Sequence, residues 1–246
     1  MPFTFSHPAI VLPLKYLPGK WFSLTGLVIG SLTPDFEYFL RMKVQSNYSH
    51  TISGLFWFDL PLGILLAFIF HDIVRNKFFE NLPSFLKSRF LKFEDFDWNN
   101  YFKNNWLIVI ISVLIGASSH LFWDSFTHSS GYFVEMIPTL KNSVFLFGKQ
   151  IPLFKILQHG SGVFGGTAIV FAIFKMPQQL IISKKIDLKY WLIFLLLTSI
   201  IFLIRILLKK NLMIGDFIVT SISAAIISLF ATSLLFLKKI NFMYLN

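Results

Sequence analysis

Residues 190–208 read YWLIFLLLTSIIFLIRILL and residues 214–237 read IGDFIVTSISAAIISLFATSLLFL. Arg205 and Asp216 are the only formal charges in these two runs. As a helix rising 1.5 Å per residue, the first run covers ~28 Å, close to the ~30 Å hydrocarbon core of a bilayer. Working outward, three further apolar runs occupy about 54–70, 106–123 and, more briefly, 162–174. Apolar residues make up 55% of the chain and charged residues 14%, against roughly a quarter charged in soluble domains. The cations gather between the apolar runs, as they do in bilayer-spanning chains. The expected fold is all-α: a polytopic membrane helix bundle of about five transmembrane helices, one membrane domain over 1–246.

Other features narrow the chemistry. The chain has no cysteine, which excludes disulfides, thiolate metal sites and cysteine nucleophiles. A net charge of +10 fits basic loops lying on anionic lipid head groups, so membrane lipids rather than nucleic acid are the expected partners. Residues 21–33, WFSLTGLVIGSLT, form a shorter apolar stretch ending at Thr33-Pro34. Thr33 reads as an N-cap, with Pro34 first in a new helix and Asp35 and Glu37 in its first turn. Residues 5–45 are therefore expected to be re-entrant or interfacial. Residues 72–105 read as a polar loop with a surface amphipathic helix, and 129–160 as an ordered loop returning to the membrane.

The ionisable residues are not scattered. His120, Asp124 and His128 fall in SHLFWDSFTHSSG, and spacings of four and four put them on one helical face. Imidazoles and a carboxylate on one helix suit a zinc-like cation. On an unbroken helix His120 and His128 lie ~12 Å apart and cannot share one ion. Either the helix ends near Thr127, or Asp124 bridges two metals. An antiparallel pair of spans then brings Asp35, Glu37 and His50, which precede the first span, to the same membrane face as the exit of the second. His159 starts the third span on that face, and His7 joins if the N-terminal stretch does not cross. His71 falls at the opposite end and reads as an ordinary packing residue.

On this reading His120, Asp124, His50 and Asp35 are the first-choice metal ligands, with His7 and His128 next. Glu37 is a candidate general base or further ligand, and Asp124 a second candidate catalytic carboxylate. Arg41 and Lys43 are placed to engage a phosphate or an anionic head group. Asp59 either orients a ligating imidazole from behind or faces a wet pocket, and His159 is a further residue of the outer shell. Arg205 and Asp216, flanking the tight last connection, are expected to pair or snorkel.

The stretches MPFTFSHPAIVLPL, GSLTPDFEYFLRM, SHTISGLFWFDLPLG, GASSHLFWDSFTH and IPLFKILQHGSG resemble the landmarks of an uncharacterised bacterial family of multi-pass membrane proteins, known as a domain of unknown function. The resemblance covers about residues 1–166, leaving 167–246 as additional spans. That family is similar to membrane-bound metal-dependent hydrolases of bacterial inner membranes. More distantly, the order His7, Asp35, His50, His120 with Asp124, and His128 resembles the ligand order of zinc-dependent phospholipase C and P1-type nucleases. The chain departs from those enzymes in lacking their later His-x-x-x-Glu pair and N-terminal Trp ligand, so one or two metals are implied rather than three. The resemblance implies a membrane-embedded hydrolase with a divalent metal, zinc or else manganese, in the cell's inner membrane; the expected site at the bilayer surface suggests a lipid or phosphoester substrate. Two alternatives stay open. A transporter would use the same residues to bind metal or relay protons, and a non-catalytic structural protein would use them to tie helices together.

Overall fold

A computed structural model describes residues 4–18, 21–180, 186–209 and 213–243. Short helical turns cover Thr4–Ser6, Pro8–Val11 and Leu12–Tyr16. Helix α1 is Leu24–Arg41, and α2 is the continuous run Ile52–Glu80. A short helix, Ser84–Phe90, leads to α3, Trp98–Thr127. Beyond a turn of helix at Tyr132–Met136 comes an antiparallel hairpin, β1 (Ser143–Leu146) and β2 (Lys149–Pro152), pairing Val144 with Ile151 and Phe145 with Gln150. Helices α4 (Leu153–Phe174), α5 (Leu188–Leu208) and α6 (Ile214–Met243) complete the order. The helices α2 to α6 are long and apolar enough to cross a membrane. The protein is an all-α, multi-pass membrane protein, as its composition requires.

The boundaries differ from the expected ones in instructive places. Pro34 does not begin a helix but lies inside α1. A proline cannot donate to the carbonyl four residues back, here that of Gly30. The Thr33 hydroxyl donates to that same Gly30 oxygen at 2.8 Å, so the acceptor freed by Pro34 is satisfied and the helix continues. The helix start that Thr does cap is at Thr51, whose Oγ1 accepts from the Gly54 amide at 2.9 Å. Helix α2 also runs on to Glu80, which shortens the polar loop expected from residue 72. It contains π-helical turns at Leu55–Asp59 and Phe70–Val74. Pro61 follows the first of them, and the wider turn accommodates a residue that neither donates to nor fits against the carbonyl of Trp57. Helix α3 breaks its helical geometry at Asn105 (φ −136°, ψ 26°), within the polar NNW stretch that precedes the apolar run.

Residues fall into two compact units. The first comprises Met1–Asp35, Asn47–Ile64 and Asn105–Lys175; the second comprises Phe36–Ser46, Leu65–Asn104 and Met176–Asn246. Small residues let the helices of the first unit nearly touch. A Cβ on Gly30 would lie 2.2 Å from the Val113 carbonyl oxygen, and one on Gly116 would lie 2.4 Å from that of Leu27. Leu27, Val109, Val113 and Ala117 are fully buried along this contact. The N-terminal turn lies against α4: Ser6 Oγ donates to the Gly162 carbonyl at 2.7 Å, and a Cβ on Gly165 would meet the Ser6 carbonyl at 2.9 Å.

In the second unit, Tyr190 and Ser233 join α5 to α6 through their hydroxyls at 3.0 Å, and Trp191 Nε1 donates to the Asn81 carbonyl. Arg205 and Asp216 do not pair with each other. Arg205 donates to the Arg41 carbonyl at 3.1 Å, at the end of α1, while Asp216 accepts from the Val44 amide and from Lys209. Each charge satisfies a chain end rather than its expected neighbour.

Candidate metal centre

The first unit gathers five ionisable side chains from four parts of the chain. His7 follows the turn Thr4–Ser6; Asp35 lies near the end of α1; His50 immediately precedes the Thr51 cap of α2; His120 and Asp124 are one turn apart on α3. Their ligating atoms form two triads, His7–Asp35–His120 and His50–His120–Asp124, each within a 4.8 Å span. His120 Nε2 lies 3.6 Å from Asp35 Oδ1 and 3.4 Å from Asp124 Oδ2. His50 Nε2 stands 3.6 Å from Asp35 Oδ1 and 3.7 Å from Asp124 Oδ2. His7 Nε2 is 3.2 Å from Asp124 Oδ1, and the His7 and His120 rings stack at 3.7 Å.

The outward nitrogens explain why the inward ones converge. His120 Nδ1 is 2.8 Å from the Ser31 carbonyl oxygen, and His7 Nδ1 is 3.2 Å from that of Thr4. A carbonyl only accepts, so in both rings Nδ1 carries a proton, and Nε2 is the atom turned to the centre. The approach of α1 to α3 through Gly30 and Gly116 is what brings Ser31 within reach of His120. His50 Nδ1 meets Ser49 Oγ at 3.0 Å, and the Thr4 hydroxyl donates to Asp35 Oδ2.

Electrostatics hold the group together. Burial alone would push the His50 imidazole down, but the Asp124 and Asp35 carboxylates outweigh it and raise its pKa to about 9. Burial would likewise raise the Asp35 carboxyl, yet His120 and then His50 hold it below the usual carboxylate range. His7 goes down, first through burial and then through the stacked His120.

The donor set can be tested against a cation directly. His120 is fully buried, and its Nε2 makes no hydrogen bond among the described residues. Neutral imidazole nitrogens and carboxylate oxygens are the ligand set of zinc or manganese, so the residues fit such an ion. Both triads use His120 Nε2, which has one lone pair, so that atom serves one ion only. Asp124 divides its oxygens: Oδ2 faces His50 and His120, and Oδ1 faces His7 and His128.

The remaining candidates are distributed unevenly. Helix α3 ends at Thr127, so His128 turns back and sets Nδ1 3.5 Å from Asp124 Oδ1. It stands outside both triads, with Gln158 Nε2 3.4 Å from its own Nε2. Its side chain is 29% exposed and that of His50 is 21% exposed, so these two form the open side of the group. Glu37 is not brought in. Two residues along a helix are ~200° apart, and Glu37 leaves α1 on the far side from Asp35, where Arg41 and Ser46 donate to it. Arg41 is engaged by that carboxylate, and Lys43 donates to Gln45. Asp59 is fully buried at the end of the first π-helical turn. His159 is exposed on α4 and lines an open cleft with Gln158, Gly162 and Val163. His71 stacks on Trp98 at 4.6 Å and bonds to Arg75, consistent with packing. Thr4, Ser31, Ser49 and Gln158 were not singled out from sequence. Ser31 acts through its backbone carbonyl and Gln158 reaches His128 from 30 residues away, which no residue pattern announces; Ser49, beside His50, and Thr4, three residues before His7, carry a local signal.

Fold and site together define a multi-pass membrane protein with a buried His/Asp centre. The chain belongs to the family described as Domain of unknown function (DUF4184), which matches residues 1–234. No curated protein and no solved structure matches it.

Proposed function

We propose that the protein is a membrane-embedded, metal-dependent hydrolase of the cell's inner membrane, acting on a lipid or other phosphoester at the bilayer surface. The observation that carries this reading is the convergence of His7, His50 and His120 with Asp35 and Asp124 on one buried point. In two of these imidazoles a backbone carbonyl holds Nδ1 and so turns Nε2 toward that point. The similarity of the motif order to metal-dependent hydrolases and to zinc-dependent phospholipase C supports it. A bound divalent cation supplies a Lewis acid for the scissile oxygen and lowers the pKa of a water toward neutrality.

The protein's own groups then have distinct tasks. Asp35, His50, His120 and Asp124 would hold the ion, with His7 beside them. His128, on the open side and next to Asp124, takes a proton from water at its ring and returns it to the leaving oxygen. Glu37, committed to Arg41 and Ser46, has no part in this scheme. A transport path would need ionisable groups through the membrane depth, whereas Arg205 and Asp216 are committed to backbone groups and Lys209.

Metal content of the detergent-purified protein, measured by elemental mass spectrometry, tests the reading. About one or two equivalents of zinc or manganese are expected, lost in the His120→Ala, Asp124→Ala double variant. His128→Ala should keep the metal and lose at least ~10²-fold in hydrolysis of a phosphoester substrate. No stoichiometric metal after reconstitution would overturn the proposal.

A further inference from the structure

The chain between α3 and α4 carries a second surface. Its hairpin turn, Phe147-Gly148, has positive φ at both residues, 52° and 76°. Such a turn matches the twist of the two strands, and its first position normally holds Asn, Asp or Gly. A phenylalanine there adopts a backbone conformation that a side chain disfavours, so the fold does not call for it. Its ring is 96% exposed, Phe145 is 66% exposed, and Val144 and Leu146 are also exposed.

We propose that the tip of this hairpin inserts into the boundary between head groups and acyl chains, in the leaflet at the His128 end of α3. Three observations choose lipid as the occupant. The second strand ends at Pro152, directly before spanning helix α4 at Leu153, so the base of the hairpin already lies at the bilayer surface. Strands of this length, at ~3.3 Å per residue, carry the tip no more than ~13 Å from that base. Chemistry is also ordered along the first strand and its approach: Lys141, Asn142 and Ser143 stand at the base, and Phe145, Leu146 and Phe147 at the tip, while Lys149 and Gln150 pair with Leu146 and Phe145 on the second strand. Lys149, exposed beside the tip, has the long stem that lets an ammonium reach lipid phosphates from an apolar setting. Finally, the outer edges of a two-stranded hairpin leave backbone groups unpaired, which excludes the hydrocarbon core and limits insertion to the interfacial zone where aromatic residues concentrate. The inference rests on the spans and the hairpin alone, so it stands or falls separately from the metal reading.

The chain has no cysteine, which permits single-site labelling of the full protein. Phe147→Cys, Phe145→Cys and Asn142→Cys, each carrying an environment-sensitive fluorophore, would be reconstituted into phosphatidylcholine–phosphatidylglycerol vesicles. Lipids with a nitroxide high on the acyl chain should quench the two tip labels at least ~3-fold more than the Asn142 label, and aqueous iodide should do the reverse. Phe145→Cys leaves Phe147 in place, so loss of the tip aromatic cannot by itself explain a negative result. Equal iodide access at tip and base, without lipid quenching, would overturn the proposal. Tip-to-tip energy transfer that rises with protein density, in place of lipid quenching, would overturn it in favour of a second copy of the chain.

Discussion

His50 shows how one residue's setting decides its chemistry. A free imidazole titrates near 6.5, but the Asp35 and Asp124 carboxylates raise this one to about 9. A pKa raised on folding stabilises the native state fully below the unfolded value and loses that contribution as pH rises through the folded value. In metal-free protein the melting temperature should therefore fall between pH 6.5 and about 9, and His50→Gln should flatten that slope. Differential scanning fluorimetry in detergent, with chelator present, reads both. A slope unchanged by His50→Gln would place the titration elsewhere. Which residues gather was legible in the spacing of His120 and Asp124 and in the span order, which returns His50 and Asp35 to the same end. What holds each ring was not legible. The Ser31 carbonyl is a backbone group, and no side-chain pattern marks it.

At the scale of elements, two contacts carry α1. Thr33 supplies the hydrogen bond that Pro34 cannot. Thr33→Val should cost about 1 kcal/mol in stability, and adding Pro34→Ala, which restores a donor amide, should recover most of that loss. Additive effects in the double-mutant cycle would refute the coupling. The approach of α1 to α3 is equally specific. Gly30→Ala puts a methyl 2.2 Å from a backbone oxygen, and about 1–3 kcal/mol of destabilisation is expected, with weaker metal retention because Ser31 moves away from His120. Gly160→Ala, on α4, meets nothing within 4 Å and should be neutral or stabilising by up to ~1 kcal/mol. Chemical denaturation with metal analysis of each variant distinguishes these outcomes. The sequence marked Thr33-Pro34 as a boundary because the same residues serve as a cap or as a repaired interruption. The difference lies in whether the preceding stretch is already helical.

For the whole molecule, the division into two compact units makes a prediction about range. Both ligand triads lie in the first unit. Chelation should raise hydrogen exchange around residues 4–18, 47–52 and 118–131, and leave the Tyr190–Ser233 contact between α5 and α6 protected. Exchange rising equally in both units would contradict this.

Sequence alone determined the membrane-spanning class, the number of long apolar helices and the set of ionisable residues at one end. Those follow from the cost of placing charge and unpaired backbone in lipid, which is written into composition and run length. Only the tertiary structure decided that α1 passes through Pro34 unbroken, that Glu37 points away while Asp35 points in, and that His128 turns back beside Asp124. Each depends on a helix's phase or on where it ends, and a single hydrogen bond to a carbonyl several residues or a whole helix away can set either one.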